Sequence, residues 1–148
     1  MIGLKSLSVF SLFRTALLPL VLLSNALPAM AEVTDLGNVR AVGVGRIGDV
    51  VVRHVLTFGD QCLDIQVLAP DANWKMLSST NFCSFDGKSF NDGYAYVGIE
   101  DLKVAPDGVH LTLELMPLRS DADERRACVI PVQGTKIKGL SCAKPSKE

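Results

Sequence analysis

The sequence predicts an all-β fold, a small antiparallel up-and-down barrel or two-layer sandwich of about eight strands stapled by disulfides. Three observations carry this. Apolar residues recur at every second position through most of the chain, the mark of strands with one buried face. Pairs such as Gly48-Asp49, Gly59-Asp60, Asp86-Gly87 and Asp107-Gly108 punctuate the alternation at hairpin spacing. Four cysteines, an even number, fall within a short chain.

The N-terminus sets the compartment. Lys5 and Arg14 form a basic leader, residues 16–26 (ALLPLVLLSNA) are apolar, and Ala29-Met30-Ala31 places small residues where a signal peptidase reads. The run holds Pro19 and falls well short of the roughly 20 residues that span a bilayer, so it reads as a secretory signal peptide over residues 1–31. The remainder, residues 32–148, is a single β domain with no second run long enough to cross a membrane. The expected location is exported, periplasmic or secreted.

Charge excludes one class of partner. The chain carries 15 Lys and Arg against 16 Asp and Glu, and losing the leader removes two of the basic residues. The one adjacent basic pair, Arg125-Arg126, directly follows Asp121, Asp123 and Glu124. A polyanion meets cancelled charge there, so nucleic acid is not an expected partner.

All four cysteines lie beyond the leader and so in an oxidising compartment. Neither gap, Cys62 to Cys83 nor Cys128 to Cys142, contains the CxxC knuckle of a zinc or redox site. Of three possible pairings, Cys62 with Cys83 and Cys128 with Cys142 is favoured. In CVIPVQGTKIKGLSC, a hairpin with residues 134–136 as its loop sets Cys128 directly opposite Cys142, at the separation a disulfide requires.

The elements follow in order. VRAVGVGRI and VVVRHVLTF are joined through Gly48-Asp49, and the second strand turns through Gly59-Asp60, which pairs Leu56 with Leu63 and His54 with Ile65. The first three strands thus read as a meander. Residues 70–81 fit either a strand or a short helical turn. Further strands are expected over 74–85, 88–90, 94–104, 109–115, 126–133 and 136–142, separated by Asp86-Gly87, Asn91-Asp92-Gly93 and the polar loop at 119–124.

The longest hairpin offers a register test. With Asp107-Gly108 as the loop, Leu111 meets Val104 and Leu113 meets Leu102, but the alternation then slips. One extra residue near Glu100-Asp101, a β-bulge, restores the apolar face and pairs Ile99 with Leu115.

Catalytic residue types occur without a catalytic setting. His54 shares a face with Leu56 and Phe58 and reads as a packed residue, while His110 lies opposite the Leu111 face and reads as exposed. Ser78, Ser79 and Ser84 have no GxSxG or comparable surroundings. Glu100 and Asp101 are neighbours on a strand and point to opposite faces unless the bulge redirects them. Asp121, Asp123 and Glu124 offer oxygen ligands but lack a calcium loop with its central glycine and terminal bidentate Glu. No cofactor, metal site or enzymatic activity is expected.

Six of the seven aromatics beyond the leader, Trp74, Phe82, Phe85, Phe90, Tyr94 and Tyr96, fall between positions 74 and 96. Such a concentration is either a core layer or a recognition surface, since Tyr and Trp combine large apolar area with a polar tip. Phe85 and Phe90 flank short turns and are expected to project at one end, with Tyr94 and Trp74 completing the candidate binding set. The expectation is an exported, non-enzymatic binding protein with a protein partner. The alternative is a carrier of a small apolar ligand in a barrel cavity, and an enzyme ranks third.

Exported protein is expected to begin at Glu32. Intact-mass measurement checks this, and retention of residues before Ala31 overturns it.

Overall fold

A computed structural model describes residues 38–59, 61–119 and 122–146. Residues 1–37, Asp60, Ser120, Asp121 and the last two residues lie outside the described residues, and with them the signal-peptide expectation and part of the acidic loop. Among the described residues no helix is long and apolar enough to cross a membrane.

The alternating stretches form strands in two antiparallel sheets. Strands β1 (Val39–Ile47), β2 (Val50–Thr57), β3 (Leu63–Ala69) and β4 (Lys75–Phe82) lie side by side in chain order. After a two-residue hairpin, β5 (Ser84–Phe85) with β6 (Lys88–Ser89), the second sheet runs β7 (Tyr94–Ala105), β8 (Gly108–Pro117), β9 (Glu124–Gln133) and β10 (Lys136–Ile137), again neighbour to neighbour. The last strand, β11 (Ser141–Cys142), also pairs with β9. No ladder joins β1 to β7 or β4 to β10 among the described residues, so two curled sheets face each other over one core rather than closing into a barrel.

The meander has the register its turns dictate. Ile47 pairs with Val50 across Gly48-Asp49, and Leu56 with Leu63 and His54 with Ile65 across the next turn. Asp86 and Gly87 both have positive φ (50° and 73°), the backbone a two-residue I′ hairpin demands. Residues 70–81 resolve into both expected forms: a 3-10 turn at Pro70–Ala72, then strand β4.

Two registers differ from the sequence reading. The β7–β8 turn is Pro106-Asp107, with Ala105 opposite Gly108, because Pro favours the second position of such a turn and Gly its fourth. The bulge is present, with Asp101 and Leu102 facing Leu111 and Asp101 at φ 52°. Ile99 therefore pairs with Leu113, and Val97 with Leu115, instead of Ile99 with Leu115. The apolar face is restored as required, one step along.

The C-terminal hairpin turns through two residues, Gly134 and Thr135, rather than the expected 134–136, since Lys136 pairs with Gln133, and it is interrupted at Lys138, whose N–H donates to the Pro131 carbonyl at 2.9 Å. The shift across this interruption still brings Cys142 opposite Cys128, and both expected disulfides are formed. In the chain-entropy model each closed loop of this size contributes about 3 kcal/mol, a large part of the net stability of a small domain.

Val52, Ile65 and Val67 of the first sheet meet Val109, Leu113 and Ile130 of the second, all with almost no exposure. Phe90 is also inside, 1 % exposed, which corrects the expectation that it projects. Its N–H donates to the Cys83 carbonyl at 2.8 Å, so the stapled end of the β5–β6 hairpin draws the ring into the core. Phe90→Ala is therefore expected to behave like Leu113→Ala, costing about 3–5 and about 2–5 kcal/mol respectively. Denaturant midpoints at an unchanged slope check this, and a Phe90→Ala midpoint equal to that of the parent protein overturns it.

Candidate binding surface

Strand β1 determines what the first sheet presents to solvent. Its glycines Gly43 and Gly45 occupy the inner face, where a Cβ on Gly43 would overlap the His54 ring and a Cβ on Gly45 would overlap Val104 of β7. Only a residue without a side chain permits that approach. The alternate positions then turn outward, leaving Val42 and Val44 60 % and 67 % exposed.

Register extends this into a face of three rows. Arg46, Val51, Leu68 and Met76 lie abreast, followed by Val44, Arg53, Gln66 and Ser79, then Val42, Val55, Asp64 and Asn81. Val51, Val55 and Leu68 in the two middle strands are buried, while Val42, Val44 and Met76 on the outer strands remain open. Arg53 sits among them, half-buried, its Nε donating to Gln66 Oε1 at 2.8 Å with Nη2 donating to the same oxygen. The face combines apolar area with one held cation.

Trp74 lies in the turn before β4, two residues before Met76. Asn73 and Trp74 both have left-handed backbone, φ 55° and 59°. Asn tolerates this region, but for a bulky residue it is an outlier that costs on the order of 1–3 kcal/mol. The indole is nonetheless 60 % exposed. Strain at an exposed aromatic is the combination that recognition sites maintain.

The other aromatics named from sequence are brought together at the opposite end of β4 and tied down. The Tyr94 hydroxyl donates to the Phe85 carbonyl at 3.0 Å, and burial of the ring, with Asp86 nearby, raises its pKa. The Arg126 guanidinium lies 5.3 Å from the Phe85 ring centroid, and Lys88 Nζ 5.6 Å from that of Tyr94. Tyr94 is buried and Phe85 half-buried, so they join Phe90 as packing residues, and of the four only Trp74 is open to a partner. Sequence reasoning missed Val42 and Val44. The signal was present in the glycines at every second position of β1, which mark the crowded side of a strand.

The second sheet's outer face is mainly polar and charged, with Tyr96 and Met116 exposed at one end. Arg125 contacts Glu114 at 2.8 Å, Glu100 at 3.4 Å and Asp101 at 3.6 Å, and Thr112 donates to Asp101 at 3.1 Å. The bulge thus turns both Glu100 and Asp101 toward one guanidinium, beside a cleft of about 240 Å³ that includes Tyr96, Met116 and Ser146. Ser78 Oγ donates to the Thr135 carbonyl at 2.6 Å. His110 bonds Asp107 at 2.8 Å, which lowers the Asp107 pKa, and neither residue is buried.

Comparison with family models, curated proteins and solved structures finds no match to this chain. Function is argued from the geometry.

His54 is the buried ionisable group of this sheet. It is 7 % exposed, its Nδ1 has no hydrogen-bond partner, and desolvation lowers its pKa from 6.5. The unfolded chain therefore binds a proton that the folded protein refuses once pH drops below about 6.5. Stability contributed by neutral His54 is complete above that value and declines toward the lower, folded pKa. Denaturant midpoints between pH 7.5 and 5 should fall, and His54→Gln should flatten that fall. An unaltered slope in the variant assigns the dependence to other groups.

Proposed function

We propose that this protein is an exported, non-enzymatic binding protein that recognises a macromolecular partner through the outer face of its first sheet. The observation that carries this reading is the exposure of Val42, Val44 and Met76 on one side of one sheet, around the held guanidinium of Arg53, with Trp74 exposed in the turn that leads into β4. Apolar and aromatic area with a central Arg and a polar margin is the composition of protein contact surfaces. The two disulfides are compatible with an oxidising, extracytoplasmic setting.

The carrier reading would use a wide, open cleft of about 470 Å³ at Lys88, Gly93, Pro117, Leu118 and Arg119, which encloses no ligand-sized space between the sheets, or a cleft of about 170 Å³ between Leu56, Phe58, Val97 and Ile99 with Arg40 on its wall. The second is smaller than the roughly 300 Å³ at which ligand pockets begin, and side chains fill the space between the sheets. The surface reading therefore ranks first. Enzymatic chemistry finds no support in the contacts of Ser78, His54 or His110.

The test is chemical cross-linking in the exported fraction of the producing cell, comparing wild type with the double variant Val42→Ser/Val44→Ser and with Trp74→Ala. A specific partner should be captured by wild type and reduced by roughly 30-fold with Trp74→Ala, the loss typical of a hot-spot residue. Denaturation midpoints of the variants establish that folding is retained. Equal capture by all three proteins excludes this face.

A further inference from the structure

Strand β1 departs from regular pairing at one point. Val39 pairs with Thr57 and Ala41 with Leu56, so Arg40 is the extra residue of a bulge. In an unbroken strand Arg40 would stand on the outer side with Val42 and Val44. Bulges re-aim side chains, and Arg40 lines the cleft of about 170 Å³ formed with Leu56, Phe58, Val97 and Ile99. This cleft lies at the seam of the two sheets, where no ladder joins β1 to β7 among the described residues.

Its walls and its cation are of opposite character. Leu56, Val97 and Ile99 are buried core residues, and Phe58 at the rim is 61 % exposed. No acidic side chain lines the cleft among the described residues. Arg53 is held by Gln66, and Arg125 and Arg126 are held by carboxylates. The Arg40 guanidinium has no such partner among the described residues and is exposed. An arginine stem covers apolar surface without any ligand. That accounts for the stem and leaves the charge, a planar donor fork beside apolar walls. Such a fork matches a carboxylate, with which it forms two parallel bonds.

Size sets the rest. At the roughly 30 Å³ that one water occupies in the liquid, about 170 Å³ holds about five or six groups of carbon size, far fewer than a cofactor or drug-sized ligand has. We propose that this cleft binds a small monocarboxylate with a branched apolar tail of about five carbons, the tail against Leu56, Val97 and Ile99 and the carboxylate paired with Arg40. Free isocaproate has this form. So does the C-terminal leucine of a peptide, the same skeleton bearing an amide nitrogen. The site is at the seam, apart from the outer face proposed for the macromolecular partner, so the two readings stand or fall separately.

The test titrates isocaproate into intact exported protein at neutral pH and follows backbone and methyl NMR shifts. Saturable shifts are expected at Leu56, Val97 and Ile99, with a dissociation constant of roughly 1 mM, the range open to a ligand this small. The neutral amide of the same acid should bind at least about tenfold more weakly, since it keeps the tail and loses the charge-assisted pair. Propionate should also bind at least about tenfold more weakly, since it keeps the charge and loses three carbons of burial. Arg40→Gln should lower affinity for the acid to that of the amide, and a denaturant midpoint equal to the parent's shows that its fold is intact. The peptide acetyl-Ala-Ala-Leu separates the two sources of the ligand. Tighter binding than isocaproate assigns the site to a chain end, weaker binding assigns it to a free acid, and both uphold the carboxylate-and-tail chemistry. Shifts that do not saturate, that arise away from Leu56, Val97 and Ile99, or that are equal for acid and amide on the wild-type protein overturn the proposal, whatever the stability of Arg40→Gln.

Discussion

The close approach of β1 to the interior is the constraint on which the rest of this structure depends. Gly43 lies over the His54 ring and Gly45 against Val104, at separations that leave no room for a side chain. Two sheets without a closing ladder still need contact along their seam, and here backbone meets side chain directly. The same approach keeps His54 dry and removes Nδ1 from any partner. A strand's period of two does the rest: when its glycines face inward, its valines must face water.

The other seam and the loose ends are secured differently. Ser78 reaches across to the Thr135 carbonyl between β4 and β10, and one disulfide closes each sheet near a strand end. Cys62–Cys83 ties β3 to the end of β4 and so anchors the short hairpin carrying Phe85 and Phe90. Cys128–Cys142 holds the C-terminal segment along β9, where the edge would otherwise be open. Staples suit a domain of this size, whose core alone leaves a small margin of stability.

The two outer faces are unlike. Around Arg125 the second sheet carries Glu100, Asp101 and Glu114, an exposed and screened network of the kind that contributes little to stability. The first sheet keeps valines, a methionine and a strained tryptophan in the open. Retaining such residues at a surface has a cost in solubility, and Trp74 adds a backbone cost of its own. The first falls on the outer face of the first sheet and the second on the turn that leads into its strand β4, which makes this region the centre of the functional reading.

Legible in the sequence alone were the all-β class, the turns at Gly48-Asp49 and Asp86-Gly87, the meander register and the need for a bulge near Glu100, with both disulfide pairs favoured among three possible sets. Each is a local matter: a period of two, a residue that accepts positive φ, or two cysteines opposed across a ladder. What it left undecided depended on contacts distant along the chain. The turn at Pro106-Asp107 is the exception, since Pro at its second and Gly at its fourth position are local preferences, and Gly108 then packs against the backbone of Ile130 and Pro131 with no space for a Cβ. Phe90 and Tyr94 read equally as surface or core until the hairpin was anchored at Cys83. Val42 and Val44 look like core residues in a one-dimensional alternation. Only the packing of β1 against His54 and Val104 reverses which of its faces is inside, since a local pattern shows two faces without saying which one the other sheet will cover.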